Sequence, residues 1–168
     1  MGRSLSNFFI APFLIFLIVS LSFSQEVGFK IKGENLEYNF FKISKNKIFA
    51  LWKLRAKELI QKEDFLIEVT EFNLVNEEKN LQIKGLKGFY FPKEKKFVFK
   101  NKVELKTSQY GEAFTEELIF YPEQNLIISE GEVILRKRGV LIRGKGLVYE
   151  VDTGNFQIKE KTRAQFTF

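Results

Sequence analysis

The chain contains no cysteine and no histidine, with one methionine, one tryptophan and three prolines. Without cysteine there is no thiol nucleophile, disulfide or thiolate metal site. Without histidine the commonest general base and transition-metal ligand are missing as well. The lack of cysteine leaves the compartment open, because exported proteins tolerate disulfides but do not require them. No Gly-x-x-x-x-Gly-Lys-Ser/Thr run occurs, so no phosphate-cradling loop is expected. Glu116 and Glu117 are adjacent and would point to opposite faces of a strand, which removes them as an acid-base pair. Lys93, Lys95 and Lys96 read as a solvated turn rather than a nucleic-acid surface. These shortages point away from an enzyme, a metal centre or a cofactor carrier.

Aromatic and aliphatic side chains are plentiful. Twenty Phe and five Tyr lie in 168 residues, and hydrophobic residues reach 45% against 29% charged. That balance fits one globular domain, and aromatics favour strands while supplying wide apolar surfaces. The formal net charge of +6 fits either a solvated Lys/Glu surface or attraction to anionic headgroups or phosphates.

From Ser4 to Gln25 there is no charged side chain, and Phe8 to Phe23 is apolar apart from Ser20 and Ser22. About 22 helical residues reach roughly 33 Å, enough to cross a hydrocarbon core of about 30 Å. Arg3 on one side with Glu26 on the other places the N-terminus in the cytoplasm and the body outside. Ser22 and Ser24 also suit a signal-peptidase site, so residues 1–24 read as a transmembrane anchor or a cleaved signal peptide, followed by one domain over 25–168.

Beyond Glu26, apolar residues recur with period two. Ile48, Ala50, Trp52, Leu54 and Ala56 form one such row; Phe97, Phe99, Val103 and Leu105 form another, against Lys100, Lys102, Glu104 and Lys106. Turn residues interrupt these runs at Asn76 to Asn80, Pro92 to Lys96, Pro122 to Asn125, Lys137 to Gly139 and Asp152 to Asn155. A shift of thirty residues lays Phe89-Tyr90-Phe91-Pro92 on Ile119-Phe120-Tyr121-Pro122, and Val103-Glu104-Leu105-Lys106 on Val133-Ile134-Leu135-Arg136. The body is therefore expected to be all-β and built of stacked antiparallel hairpins. They can close as a sandwich, roll or barrel, or form an elongated stack with two open ends, which the repeat favours. Gly144-Lys145-Gly146 reads as a strand feature permitting a bulge or close packing.

The run from Trp52-Lys53-Leu54-Arg55-Ala56 onward resembles the LptC family, the bitopic inner-membrane component of the lipopolysaccharide transport bridge. Leu86-Lys87-Gly88-Phe89-Tyr90, Val103 to Thr107, Leu118 to Tyr121, Gly131 to Leu135 and Ile142-Arg143-Gly144-Lys145-Gly146-Leu147-Val148-Tyr149 follow in the family's order. The resemblance implies an open, V-shaped β-jellyroll behind a retained transmembrane helix, with the domain in the periplasm. It further implies that lipopolysaccharide arrives from an LptBFG-type ABC transporter and leaves to an LptA-like bridge protein. A soluble LptA-like protein with a cleaved signal peptide is the alternative.

On strand parity, Phe97, Phe99, Val103, Leu105, Leu118, Phe120, Ile127, Val133, Leu135, Leu147, Tyr149, Phe156 and Ile158 should face the interior, where they line a lipid groove or form a plain core. The last strand runs from Phe156 to Phe168. By resemblance its edge, marked by Ile158 and Phe166, should dock the bridge protein.

Overall fold

The computed structural model describes residues 32–44, 47–61 and 66–166. The expected membrane segment lies outside the described residues, as do the side chains of Ile48 and Ala50. No helix among the described residues is long and apolar enough to cross a membrane.

Nine strands follow one another: β1 (Lys32–Ser44), β2 (Lys47–Gln61), β3 (Ile67–Asn76), β4 (Leu81–Phe91), β5 (Lys96–Thr107), β6 (Gly111–Tyr121), β7 (Leu126–Lys137), β8 (Val140–Glu150) and β9 (Asn155–Phe166). Every strand pairs antiparallel with its sequence neighbours in a single sheet, and among the described residues β1 and β9 pair on one side only. The sheet is thus open at both edges, as the repeat suggests.

The hairpins are set by local chemistry. The Asn76 side chain accepts a hydrogen bond from the Lys79 amide at 2.9 Å, and the Thr107 hydroxyl accepts one from the Tyr110 amide at 2.9 Å. Asn80 and Asn125 close their turns with positive φ (48° and 49°), the left-handed conformation that asparagine tolerates. All the turns expected from the sequence lie where the structure turns.

A flat nine-stranded sheet would leave one apolar face in water. The strands avoid this by bending together. Register shifts interrupt the pairing between Lys84 and Lys87, Lys100 and Val103, Phe114 and Ile119, Ser129 and Glu132, and Arg143 and Lys145, so each falls near mid-strand. Asn101, Lys102 and Gly146 take positive φ on the same line, and Glu71 extends it into β3. Bulges bend a strand and add local twist, and a row of them creases the sheet.

Ring contacts show how far the crease folds it. Trp52 on β2 and Phe120 on β6 have centroids 4.6 Å apart, whereas four strand spacings of about 4.8 Å would separate them by roughly 19 Å in a flat sheet. The two halves of the sheet therefore face one another. The first layer holds Trp52 to Ala56, Phe72 to Asn76, Leu81 to Ile83, Val103 to Thr107, Ala113 to Thr115, Val133 to Lys137 and Val140 to Ile142. The second holds Leu59, Val69, Phe97 to Phe99, Leu118 to Phe120, Ile127 to Ser129, Leu147 to Tyr149 and Phe156 to Ile158.

The crease corrects one expectation. Glu116 and Glu117 do not face opposite sides; both are exposed at the bulge of β6, where Glu117 pairs with Lys100 at 2.9 Å. Strict alternation fails wherever a bulge inserts a residue.

Candidate functional site

The candidate site is the apolar space between the two layers. Eleven of the thirteen residues expected to face inward are buried: Phe97, Phe99, Val103 and Leu105 on β5, Leu118 and Phe120 on β6, Ile127, Val133 and Leu135 on β7, and Leu147 and Tyr149 on β8. Phe156 and Ile158 on β9 are half-buried and pack against the same cluster. The early strands contribute residues beyond the set expected from strand parity: Leu59, Val69, Phe72, Leu74, Leu81 and Ile83, together with Trp52, Leu54 and Ala56. Their alternation is visible in the sequence, but the thirty-residue repeat that fixes the register begins only at Phe89.

Aromatic rings form a row through the interior. Phe72 stacks on Phe99 at 4.5 Å, Phe99 lies 5.8 Å from Phe97, Phe97 lies 6.1 Å from Phe120, and Phe120 meets Trp52. Glycines make room for it. A Cβ on Gly85 would stand 2.8 Å from the Phe72 ring, and one on Gly88 would stand 3.1 Å from Phe99 Cδ1. On β8, a Cβ on Gly144 would come 2.4 Å from Ile158 Cγ2, and Gly146 lies under the Lys159 stem, whose ammonium reaches Glu130 on β7. The Gly144-Lys145-Gly146 stretch thus serves a bulge and close packing.

The polar content of the interior is small. The Thr115 and Ser129 hydroxyls hydrogen-bond at 2.9 Å near the crease, both buried. Burial pushes the Tyr149 hydroxyl above the usual tyrosine range, with a smaller contribution from Tyr110; burial does the same at Tyr90, with Glu123 adding to it. Opposite the crease the layers meet at their tips: Tyr110, in the β5–β6 turn, stacks on Phe156 at 5.1 Å, and Lys79 donates to the Asp152 carbonyl at 3.4 Å.

The interior is not sealed at the last strand. Across the first layer Leu135, Ile142 and Ala164 are register neighbours, as are Val140 and Phe166. Exposure rises along these rows, from 8% at Leu135 to 60% at Phe166. Phe166 is exposed on the last strand, while Ile158 packs against Gly144 of β8.

Among the described residues no group of three or more acidic, His or Cys side chains is placed to hold a metal. The arrangement offers an apolar interior between two layers of one creased sheet, open at its final strand. This defines the class: an open β-roll built around an apolar interior packed with its own side chains. The chain belongs to the LptC-related lipopolysaccharide-assembly family, whose family model matches residues 30–167. No curated protein matches the chain. The family is a transport component, and membership assigns the chain a role in lipopolysaccharide transport at the cell envelope.

Proposed function

We propose that this chain carries lipopolysaccharide by holding its acyl chains between the two layers, taking the lipid from an LptBFG-type ABC transporter and handing it to an LptA-like bridge protein. The observation that carries the reading is the apolar interior itself, which runs without interruption from Trp52 on β2 to Phe156 on β9 and opens at the last strand. Residues 1–24 would tether the domain to the inner membrane, with the roll in the periplasm. The tether raises the local concentration of the roll at the transporter.

The energetics fit a relay. Sheltering an acyl chain of a dozen carbons is favourable by about 10 kcal/mol, at about 0.8 kcal/mol per methylene. Release into water would be very slow, so the lipid must move between contiguous apolar surfaces of similar affinity, with the work done by the partner ATPase. In the closed form the interior is filled by its own side chains, so loading requires the layers to part about the crease, with the tips around Tyr110 and Phe156 opening first.

The test is photo-crosslinking in cells. A benzophenone side chain at Phe99 or Val133 should capture lipopolysaccharide during transport, whereas one at Lys100 should not. The mass of the captured product also reports whether residues 1–24 are retained. A groove that never yields lipid from either inward position, in folded protein, would overturn the proposal.

A further inference from the structure

Several exposed lysines stand beside a carboxylate, among them Lys57 by Glu71, Lys100 by Glu117 and Lys95 by Glu123. One place departs from this balance. Between the β5–β6 and β7–β8 turns, on the tip of the first layer, lies a cleft of about 700 Å³ whose lining includes Lys106, Arg136, Lys137 and Arg138 against one carboxylate, Glu112. The strand register assembles it, because Lys106 pairs with Glu112 and Glu112 with Arg136 across three strands.

Three of the four cations keep their charge uncancelled by a carboxylate among the described residues. Glu112 neutralises Lys106 at 2.9 Å. The Arg136 guanidinium lies over the Phe114 ring at 5.5 Å, which orients it without cancelling its charge. The Lys137 ammonium donates to the Gln109 carbonyl. Arg138, at the tip with φ 40°, makes no hydrogen bond or ion pair with the described residues. An excess of three positive charges is thus held on one concave surface. Gathering like charges is costly unless an anion offsets them, and guanidinium groups suit phosphoryl oxygens through paired N–H donors.

The position of the cleft matters as much as its charge. Tyr110, in the same β5–β6 turn, is the residue that closes the layers against Phe156. Lys106, Glu112 and Arg136 stand on the outer face of the first layer, and Gln109, Lys137 and Arg138 carry the cleft onto the rim beside Tyr110, so an amphiphile with its acyl chains between the layers would reach it by folding its headgroup over that rim. We propose that the cleft binds a phosphoryl group on the headgroup of that amphiphile. This deepens the groove reading and rests on it.

The experiment uses the full-length chain with a benzophenone side chain at Tyr110, offered bisphosphorylated lipid A or the same lipid with both phosphates removed, in matched micelles. Capture as a function of lipid concentration gives an apparent Kd. The unaltered cleft should favour the phosphorylated lipid. R136Q/R138Q should weaken its capture by about tenfold or more, as expected for charge-assisted hydrogen bonds. The same variant should leave capture of the dephosphorylated lipid unchanged, and K100Q, on the outer face away from the cleft, should change neither. Equal capture of both lipids by the unaltered cleft would overturn the proposal while leaving the groove intact. Capture of neither would overturn the groove reading with it. Inorganic pyrophosphate is the third arm: millimolar pyrophosphate binding as tightly as the lipid would assign the cleft to a free anion and overturn the headgroup proposal.

Discussion

Gly85 and Gly88 lie on β4 beneath the ring faces of Phe72 and Phe99, and neither ring could lie so close to the strand if a methyl group stood there. A Cβ at Gly85 would meet Phe72 at 2.8 Å. G85A is expected to lower stability by about 1–3 kcal/mol through overpacking. At Gly131 the nearest atom to an added Cβ is Thr115 Oγ1 at 3.9 Å, so G131A should fall within about 0.5 kcal/mol of the parent. Urea midpoints compare the two, and equal losses would show that the close approach at β4 is not what constrains it. Tyr149 supplies a second residue-scale test. Its pKa is raised by burial, so the stability it contributes is present below the unfolded value near 10 and is lost as pH rises through the folded value. Y149F keeps the ring and removes the ionisation. Alkaline unfolding followed by circular dichroism should shift to higher pH in this variant; an unmoved midpoint would place the alkaline transition elsewhere.

β9 is the element whose surroundings are least complete. Among the described residues it pairs with β8 alone, and its first-layer end, from Thr162 to Phe166, is exposed. An unpaired strand presents N–H and C=O groups that a partner strand can extend. If the bridge protein adds a strand here, proline substitutions at successive positions from Ile158 to Phe166 should weaken capture only at alternate sites, where the lost N–H points away from β8. A pull-down with each folded variant checks this. Undiminished capture throughout would exclude β9 as the docking edge. The repeat makes β4 to β9 legible as hairpins in the sequence, since Phe89 to Pro92 and Ile119 to Pro122 end equivalent strands at equivalent turns. The mid-strand bulges are not legible there as a crease. A two-residue irregularity such as Asn101-Lys102 costs little in a pattern count, and only its alignment with irregularities in neighbouring strands gives it structural meaning.

At the scale of the whole molecule, the crease turns one open sheet into two facing layers whose tips meet at Tyr110 and Phe156. If loading requires those tips to part, tying them together should stop it. The chain has no cysteine, so Tyr110→Cys with Phe156→Cys provides a clean pair for a short bismaleimide. Joining them before exposure to lipid should abolish photo-capture at Phe99, while the unlinked double variant retains it. Full capture by the tied protein would mean that lipid enters at the open β9 end instead.

The sequence alone determined the all-β class, the turn positions, the inward-facing rows and the lack of any thiol or imidazole chemistry, because composition, alternation and turn chemistry are local and can be read along a single strand. The tertiary structure decided which rows confront each other. Trp52 and Phe120 are sixty-eight positions apart with nothing local to link them, and their contact depends on the cumulative bend of every strand between. The basic lip is likewise a product of register and crease, which bring Lys106 beside Arg136 and set both next to the place where the layers close. Side-chain periodicity is fixed within a strand, whereas the direction in which a sheet folds depends on the summed geometry of all its strands.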